Sequence, residues 1–118
     1  MKYLALIYAA DGTGPQPDTP EFGAMLAGYQ AATEVYEKAG VNLASEALMP
    51  VETATCIRIR NGKTELTDGP FAETKEQLGG FYLFECATLD EAIEYAKMIP
   101  SVEYGTVEVR PVMEIDFD

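Results

Sequence analysis

The chain has 118 residues, 47% of them hydrophobic, which suits one domain built around one core. Its 20 acids against 8 bases give a net charge of −12, a surface that repels phosphate backbones and anionic lipid and argues against direct binding to nucleic acid or membrane. Histidine is absent and only 2 cysteines occur, so the commonest general base and the usual zinc ligands are missing and no metal site is expected.

Residues Lys2 to Tyr8 alternate and are rich in β-formers, and the reading is a first strand. The single lysine there and the lack of a small-residue cleavage site speak against a signal peptide. No apolar run approaches the ~20 residues of a membrane span. A cytoplasmic protein, folded as one domain over 1–118, is the expectation. Residues 9–20 hold three prolines and two glycines and read as a loop. Thr19-Pro20-Glu21 then starts a helix: a capping hydroxyl, a proline at the first helical position, an acid in the first turn. Phe22, Met25, Leu26, Tyr29, Ala32, Val35 and Tyr36 recur at helical spacing as its predicted buried face, and Gly40 closes it.

Val41 to Leu48 and Thr53 to Arg60 read as two further strands. Asn61-Gly62 is a two-residue hairpin turn, which returns the chain antiparallel over Lys63 to Thr67. Gly79 to Ala87 is the next predicted strand, its glycine pair marking a bulge or a close backbone approach. Thr88-Leu89-Asp90-Glu91 is a capping box, opening a helix to about Ile99. Thr106 to Phe117 is the last predicted strand, with Pro111 arguing for a bulge or an edge. The order is β-α-β-(ββ)-β-α-β, an α+β, ferredoxin-like split βαβ pattern with an added β-hairpin. Two helices cover one face of such a sheet. Phe81, Tyr82, Leu83 and Phe84 are apolar on both faces of one strand, so a homodimer packed sheet on sheet is expected. Cys56 and Cys86 read as two free thiols, a redox pair only if their strands are neighbours.

The most distinctive stretch runs from Thr67 to Glu85. Its first part, Thr67-Asp68-Gly69-Pro70-Phe71-Ala72-Glu73-Thr74-Lys75-Glu76, resembles the hallmark of the DGPF family of YCII-related proteins. The similarity extends to Lys2–Tyr8, Thr53–Thr55, Gln77–Tyr82 and Gly105–Pro111. The resemblance implies a ferredoxin-like subunit that dimerises as a dimeric α+β barrel. It brings no established reaction. Some family members are encoded beside alternative sigma factors, which implies a sigma factor as a candidate partner. The His–Asp pair suggested for the wider group cannot carry over, because this chain keeps Asp68 but has no histidine.

Read from its own residues, Asp68 either caps the turn through an Asx bond or serves as a proton acceptor at a pocket rim. Phe71 can tuck beneath the loop, and Glu73–Gln77 reads as a solvated segment with local ion pairs. Arg58 and Arg110 lie mid-strand. Each is either paired with Asp68, Glu85 or Glu108, or holds a small anionic ligand in a pocket lined by Tyr8 and Tyr82. Two functions follow. One is a small-ligand-binding or regulatory protein acting without a cofactor. The other is a small cofactor-independent enzyme of the dimeric α+β barrel type, using Asp68 as acid or base.

Overall fold

The computed structural model describes residues 1–117. Strand β1 (Lys2–Ala10) leads through helix α1 (Pro20–Ala39) to β2 (Asn42–Ala47). A hairpin of β3 (Thr55–Arg60) and β4 (Lys63–Asp68) precedes β5 (Glu76–Glu85), helix α2 (Leu89–Ala96) and β6 (Thr106–Pro111). The four longer-range strands form one antiparallel sheet in the order β2-β5-β1-β6, and β3 and β4 pair only with each other. This is the split βαβ path with the hairpin inserted between β2 and β5.

The helix starts work as their residues require. Thr19 accepts the Phe22 amide at 3.2 Å, Pro20 takes the first position, and Gly40 ends α1 in the left-handed conformation. Thr88 accepts the Glu91 amide at 3.2 Å, while the Glu91 carboxylate reaches back to the Ala87 amide at 3.3 Å. The second helix stops three residues short of the expected Ile99. Bonds from Met98 to the Tyr95 carbonyl and from Ile99 to the Ala96 carbonyl tighten its last turn and swing Ile99, fully buried, into the core.

That core lies between the helices and one face of the sheet. Tyr3, Ala5 and Ile7 of β1 and Tyr82 and Phe84 of β5 meet Ala32 and Tyr36 of α1 and Ala92 and Ala96 of α2. Tyr36 is its centre: its ring packs edge-on against Tyr82, Phe84 and Tyr95 at 4.8–5.7 Å. Its hydroxyl donates to the Tyr95 carbonyl at 2.6 Å, and burial pushes the phenol well above its ordinary value. Val35 and Leu26, expected on the buried face, are instead 42% and 52% exposed. The stripe that reaches the sheet is narrower, through Tyr29, Ala32 and Tyr36.

No helix covers the other face of the sheet. The registers place Leu4 beside Leu83 and Leu6 beside Phe81, with Ala44 and Glu46 following on β2 and Arg110 and Glu108 on β6. The molecule measures 48 × 47 × 18 Å, thick enough for one helical layer on one sheet layer. Its radius of gyration is 16.5 Å, against about 13.5 Å for a compact chain of this length. It exposes 8423 Å², whereas a self-contained protein of this size exposes about 6,300 Å².

Several boundaries differ from expectation. Residues Val51–Thr53 form a 3-10 turn, held by the Thr53 amide and hydroxyl on the Pro50 carbonyl, so β3 begins at Thr55. Strand β5 begins at Glu76, which draws Glu76 and Gln77 out of the expected solvated segment and into the sheet. The last strand ends at Pro111, on the edge of the sheet, where the missing amide costs no bond: the Val112 amide still reaches the Lys2 carbonyl at 2.9 Å. Met113, Ile115 and Phe117, expected within that strand, lie beyond it and are 63–91% exposed. Both cysteines are free, and β3 and β5 are not neighbours, so Cys56 and Cys86 do not form a pair. Among the described residues no helix is long and apolar enough to cross a membrane.

Candidate functional site

The Asp-Gly-Pro turn closes the base of the β3–β4 hairpin. Gly69 has φ +91°, a conformation that penalises any residue with a Cβ, and its amide donates to the Ala54 carbonyl at 2.7 Å. The Cys56 thiol points at the Gly69 carbonyl, 3.2 Å away. From the other side, the Gln77 side-chain amide ties the loop to β5 by donating to the carbonyls of Ala72 and Thr74 at 3.2 and 2.9 Å. The turn is therefore anchored to both sheets.

Between these anchors lies a cavity of about 560 Å³. Four parts of the fold wall it, one of them Cys56 of β3. Tyr8 and Leu78 come from the uncovered face of the large sheet, Leu48 to Ala54 from the loop before the hairpin, and Pro70 to Thr74 from the motif. The volume falls within the 300–1,000 Å³ of small-molecule sites. The lining is mostly apolar, and its polar members include Tyr8, Thr74, Gln77 and Glu76. Glu76 is the one charged wall residue. Phe71 does not tuck under the loop: it is 77% exposed at the rim, beside Met49 at 75%.

The residues expected to form a site do not converge. Tyr8 lines this cavity. Tyr82 faces the helices, on the opposite side of the sheet, where it pairs across from Ala5. Asp68 is exposed in a shallow groove that shares Val51, Pro70, Thr74 and Gln77 with the cavity. Among the described residues its carboxylate has no hydrogen bond, so the expected Asx bond is not made. Arg58 lies on the polar side of the hairpin, opposite Glu65, and lines no cavity described here. Arg110 is exposed and paired with Glu108, its Nε donating to the carboxylate at 2.9 Å. This is one of the pairings expected for it. Among the described residues no group of three or more Cys, Asp or Glu could hold a metal.

Sequence reasoning passed over the Leu48-Met49-Pro50-Val51 run and the wall positions Cys56 and Leu78. The one local signal was an apolar run interrupted by proline between two strands. The glycine pair was read correctly on both counts. Gly79 is the extra residue where the β1–β5 register slips between Ile7 and Tyr8. A Cβ on Gly80 would lie 2.8 Å from the Glu46 carbonyl oxygen, so β2 can approach there only because the side chain is missing.

The model of the YCII-related domain matches residues 1–116. The chain belongs to the YCII-related family. A relative, an uncharacterized protein of Rhizobium meliloti (strain 1021), is 37% identical over 95% of this chain and 92% of its own length. Among solved structures, this YCII-related chain is similar to the 5-chloro-2-hydroxyhydroquinone dehydrochlorinase of Burkholderia phenoliruptrix AC1100 in complex with 2,5-dihydroxybenzoquinone. The TM-score is 0.50, at 13% identity, covering 96% of this chain and 94% of that one. At that identity the likeness concerns the fold.

Proposed function

We propose that this YCII-related chain is a small-molecule-binding protein of the DGPF branch, working as a homodimer, with the motif-walled cavity as its ligand site. The branch assignment rests on the Thr67–Glu76 run. The observation behind the binding role is that cavity: the turn is pinned at Gly69 and Gln77, and an apolar hollow of ligand size opens beside it, rimmed by exposed Phe71 and Met49. No arginine or lysine lines it, and Glu76 does. The proposed ligand is therefore a neutral, largely apolar ring compound, in place of the anion that Arg58 and Arg110 suggested. The fold neighbour's quinone makes substituted hydroquinones a sensible first panel. Calorimetric titration of that panel tests the reading. Saturable binding should be lost in Leu78→Trp, which fills the hollow, and weakened in Tyr8→Ala. Binding indifferent to both changes would place the ligand elsewhere.

The dimer rests on area. The excess over a self-contained monomer is about 2,100 Å² per chain, and two copies would bury about twice that, within the 2,000–5,000 Å² of obligate homodimers. Leu4, Leu6, Phe81 and Leu83 on the uncovered face would form its centre, and the motif cavity, beginning at Tyr8 on that same face, would be walled in part by the partner. Light scattering should give twice the chain mass; a clean monomer at micromolar concentration would sink the model.

The rival reading is a cofactor-independent enzyme using Asp68. It is favoured by the groove that Asp68 shares with the cavity. Turnover of a bound compound that collapses in Asp68→Asn, with binding retained, would establish it. The expected sigma-factor partner finds no support in the family match, the relative or the fold neighbour.

A further inference from the structure

A second cavity, of about 520 Å³, lies on the helix-covered side of the sheet. The N-terminal half of α1 forms one wall, with β2 and the Gly79–Tyr82 part of β5 opposite. Phe22, Met25, Leu26 and Ile7 make its body apolar, and no lysine or arginine lines it. Its polar lining residues are Tyr29, Tyr82, Ser101 and Ser45, which carry hydroxyls, and Glu46. Ser101 is buried, at 3% exposure.

With every one of these contacts made, counting protons sets the direction of each hydrogen bond. A hydroxyl has one proton and two lone pairs. Thr33 gives its proton to the Tyr29 carbonyl at 2.9 Å. The 2.9 Å bond between Thr33 Oγ1 and Tyr82 is therefore donated by Tyr82. Tyr104 gives its proton to Met25 Sδ, 2.8 Å away, which has none to return. Ser101 must then donate the 3.1 Å bond to Tyr104, and Tyr29 must donate its own bond to Ser101. Both chains start at a tyrosine that lines the cavity, and both tyrosines have spent their proton. Neither phenol oxygen receives a hydrogen bond from any described residue. Burial raises the Tyr29 phenol above its ordinary value, so it stays a neutral acceptor. The two phenol oxygens are unfilled acceptors and the Ser45 hydroxyl can give or take, so a guest hydroxyl meets both kinds of point, whereas an acceptor-only guest leaves the phenol oxygens unpaired.

We propose that this helix-side cavity is a second ligand site, selective for a small apolar molecule bearing a hydroxyl donor, of the bicyclic phenol type. The site is independent of the motif cavity, and two methionines separate them: Met25 lines the helix side and Met49 the motif side. The test is a titration of the full chain, labelled at its methionine methyl groups, with 2-naphthol and with its methyl ether, followed by NMR. The naphthol should shift the Met25 methyl saturably. The methyl ether, of the same shape but without the donor, should bind there about tenfold more weakly or worse. Tyr82→Phe and Tyr29→Phe should each weaken the naphthol about tenfold. A Met25 signal that stays still, whether or not Met49 moves, overturns the proposal. So does equal binding of the ether, a comparison that needs no variant to fold, or unchanged affinity in both tyrosine variants. Movement at Met25 without Met49 supports this site and counts against the motif cavity for that compound.

Discussion

The two faces of the four-stranded sheet are built from the same strands and have opposite fates. On one, Tyr3, Ala5, Ile7, Tyr82 and Phe84 disappear under two helices. On the other, Leu4, Leu6, Phe81 and Leu83 alternate with them residue for residue and meet no layer within the chain. The covered face holds the subunit together. The uncovered one, with the hairpin and the motif turn at its end, is the face on which the proposed homodimer and ligand site lie.

Substitutions at adjacent residues should separate the two roles. Phe84→Ala empties a fully buried site and should cost about 3–5 kcal/mol in urea unfolding, at any protein concentration. Leu83→Ala, one residue away on the other face, should leave the subunit's own packing alone and raise the dimer dissociation constant about tenfold or more by analytical ultracentrifugation. If Leu83→Ala cost as much as Phe84→Ala in a monomer, the contrast between the faces would be lost. At the border of the two regions, Gly80→Ala pushes a methyl against the Glu46 carbonyl, and about 1–3 kcal/mol of destabilisation is expected, as β2 must shift.

High pH probes the covered face alone. A phenol whose value is raised by burial is protonated in the fold at pH values where the unfolded chain has released its proton. Stability is therefore whole below the ordinary phenol value of 10.0 and falls as pH climbs above it. The Tyr36 slope approaches about 1.4 kcal/mol per pH unit at most. Tyr36→Phe should flatten much of that decline, at the cost of about 1 kcal/mol for the bond to the Tyr95 carbonyl. The smallest effect belongs to Asp68→Asn, which should change stability by no more than about 0.5 kcal/mol, because the carboxylate is exposed and bonds none of the described residues.

Much of the fold was legible because its signals are local. Thr19-Pro20 and Thr88 with Glu91 cap their helices, Asn61-Gly62 turns the hairpin, and Gly79-Gly80 marks both a bulge and a close approach. The site was less legible because it depends on which way separate strands face. Alternation along β1 says that Tyr8 opposes Ile7, and along β5 that Tyr82 opposes Phe81. It does not say that Tyr8 and Tyr82 end on opposite sides of one sheet, which the register across the bulge decides. The arginines mislead for a related reason. A mid-strand position implies a half-buried cleft only if another layer lies above, and none covers Arg58 or Arg110 within the chain. Cavity walls such as Leu48 and Met49 sit in a loop whose path no periodicity announces.

The β3–β4 hairpin bonds to no other strand, and it shows Ile57, Ile59 and Leu66 on one side at 64–68% exposure. A two-stranded ribbon is marginal in water by itself. Its amides should therefore be the quickest of the strand amides to trade hydrogen for deuterium, and, if the proposed dimer covers that apolar side, their rate should depend on how concentrated the solution is. Dilution would loosen the ribbon first, and with it the Ala54–Gly69 bond that shapes the motif turn. Uptake at the proposed ligand site beside that turn should then vary with protein concentration.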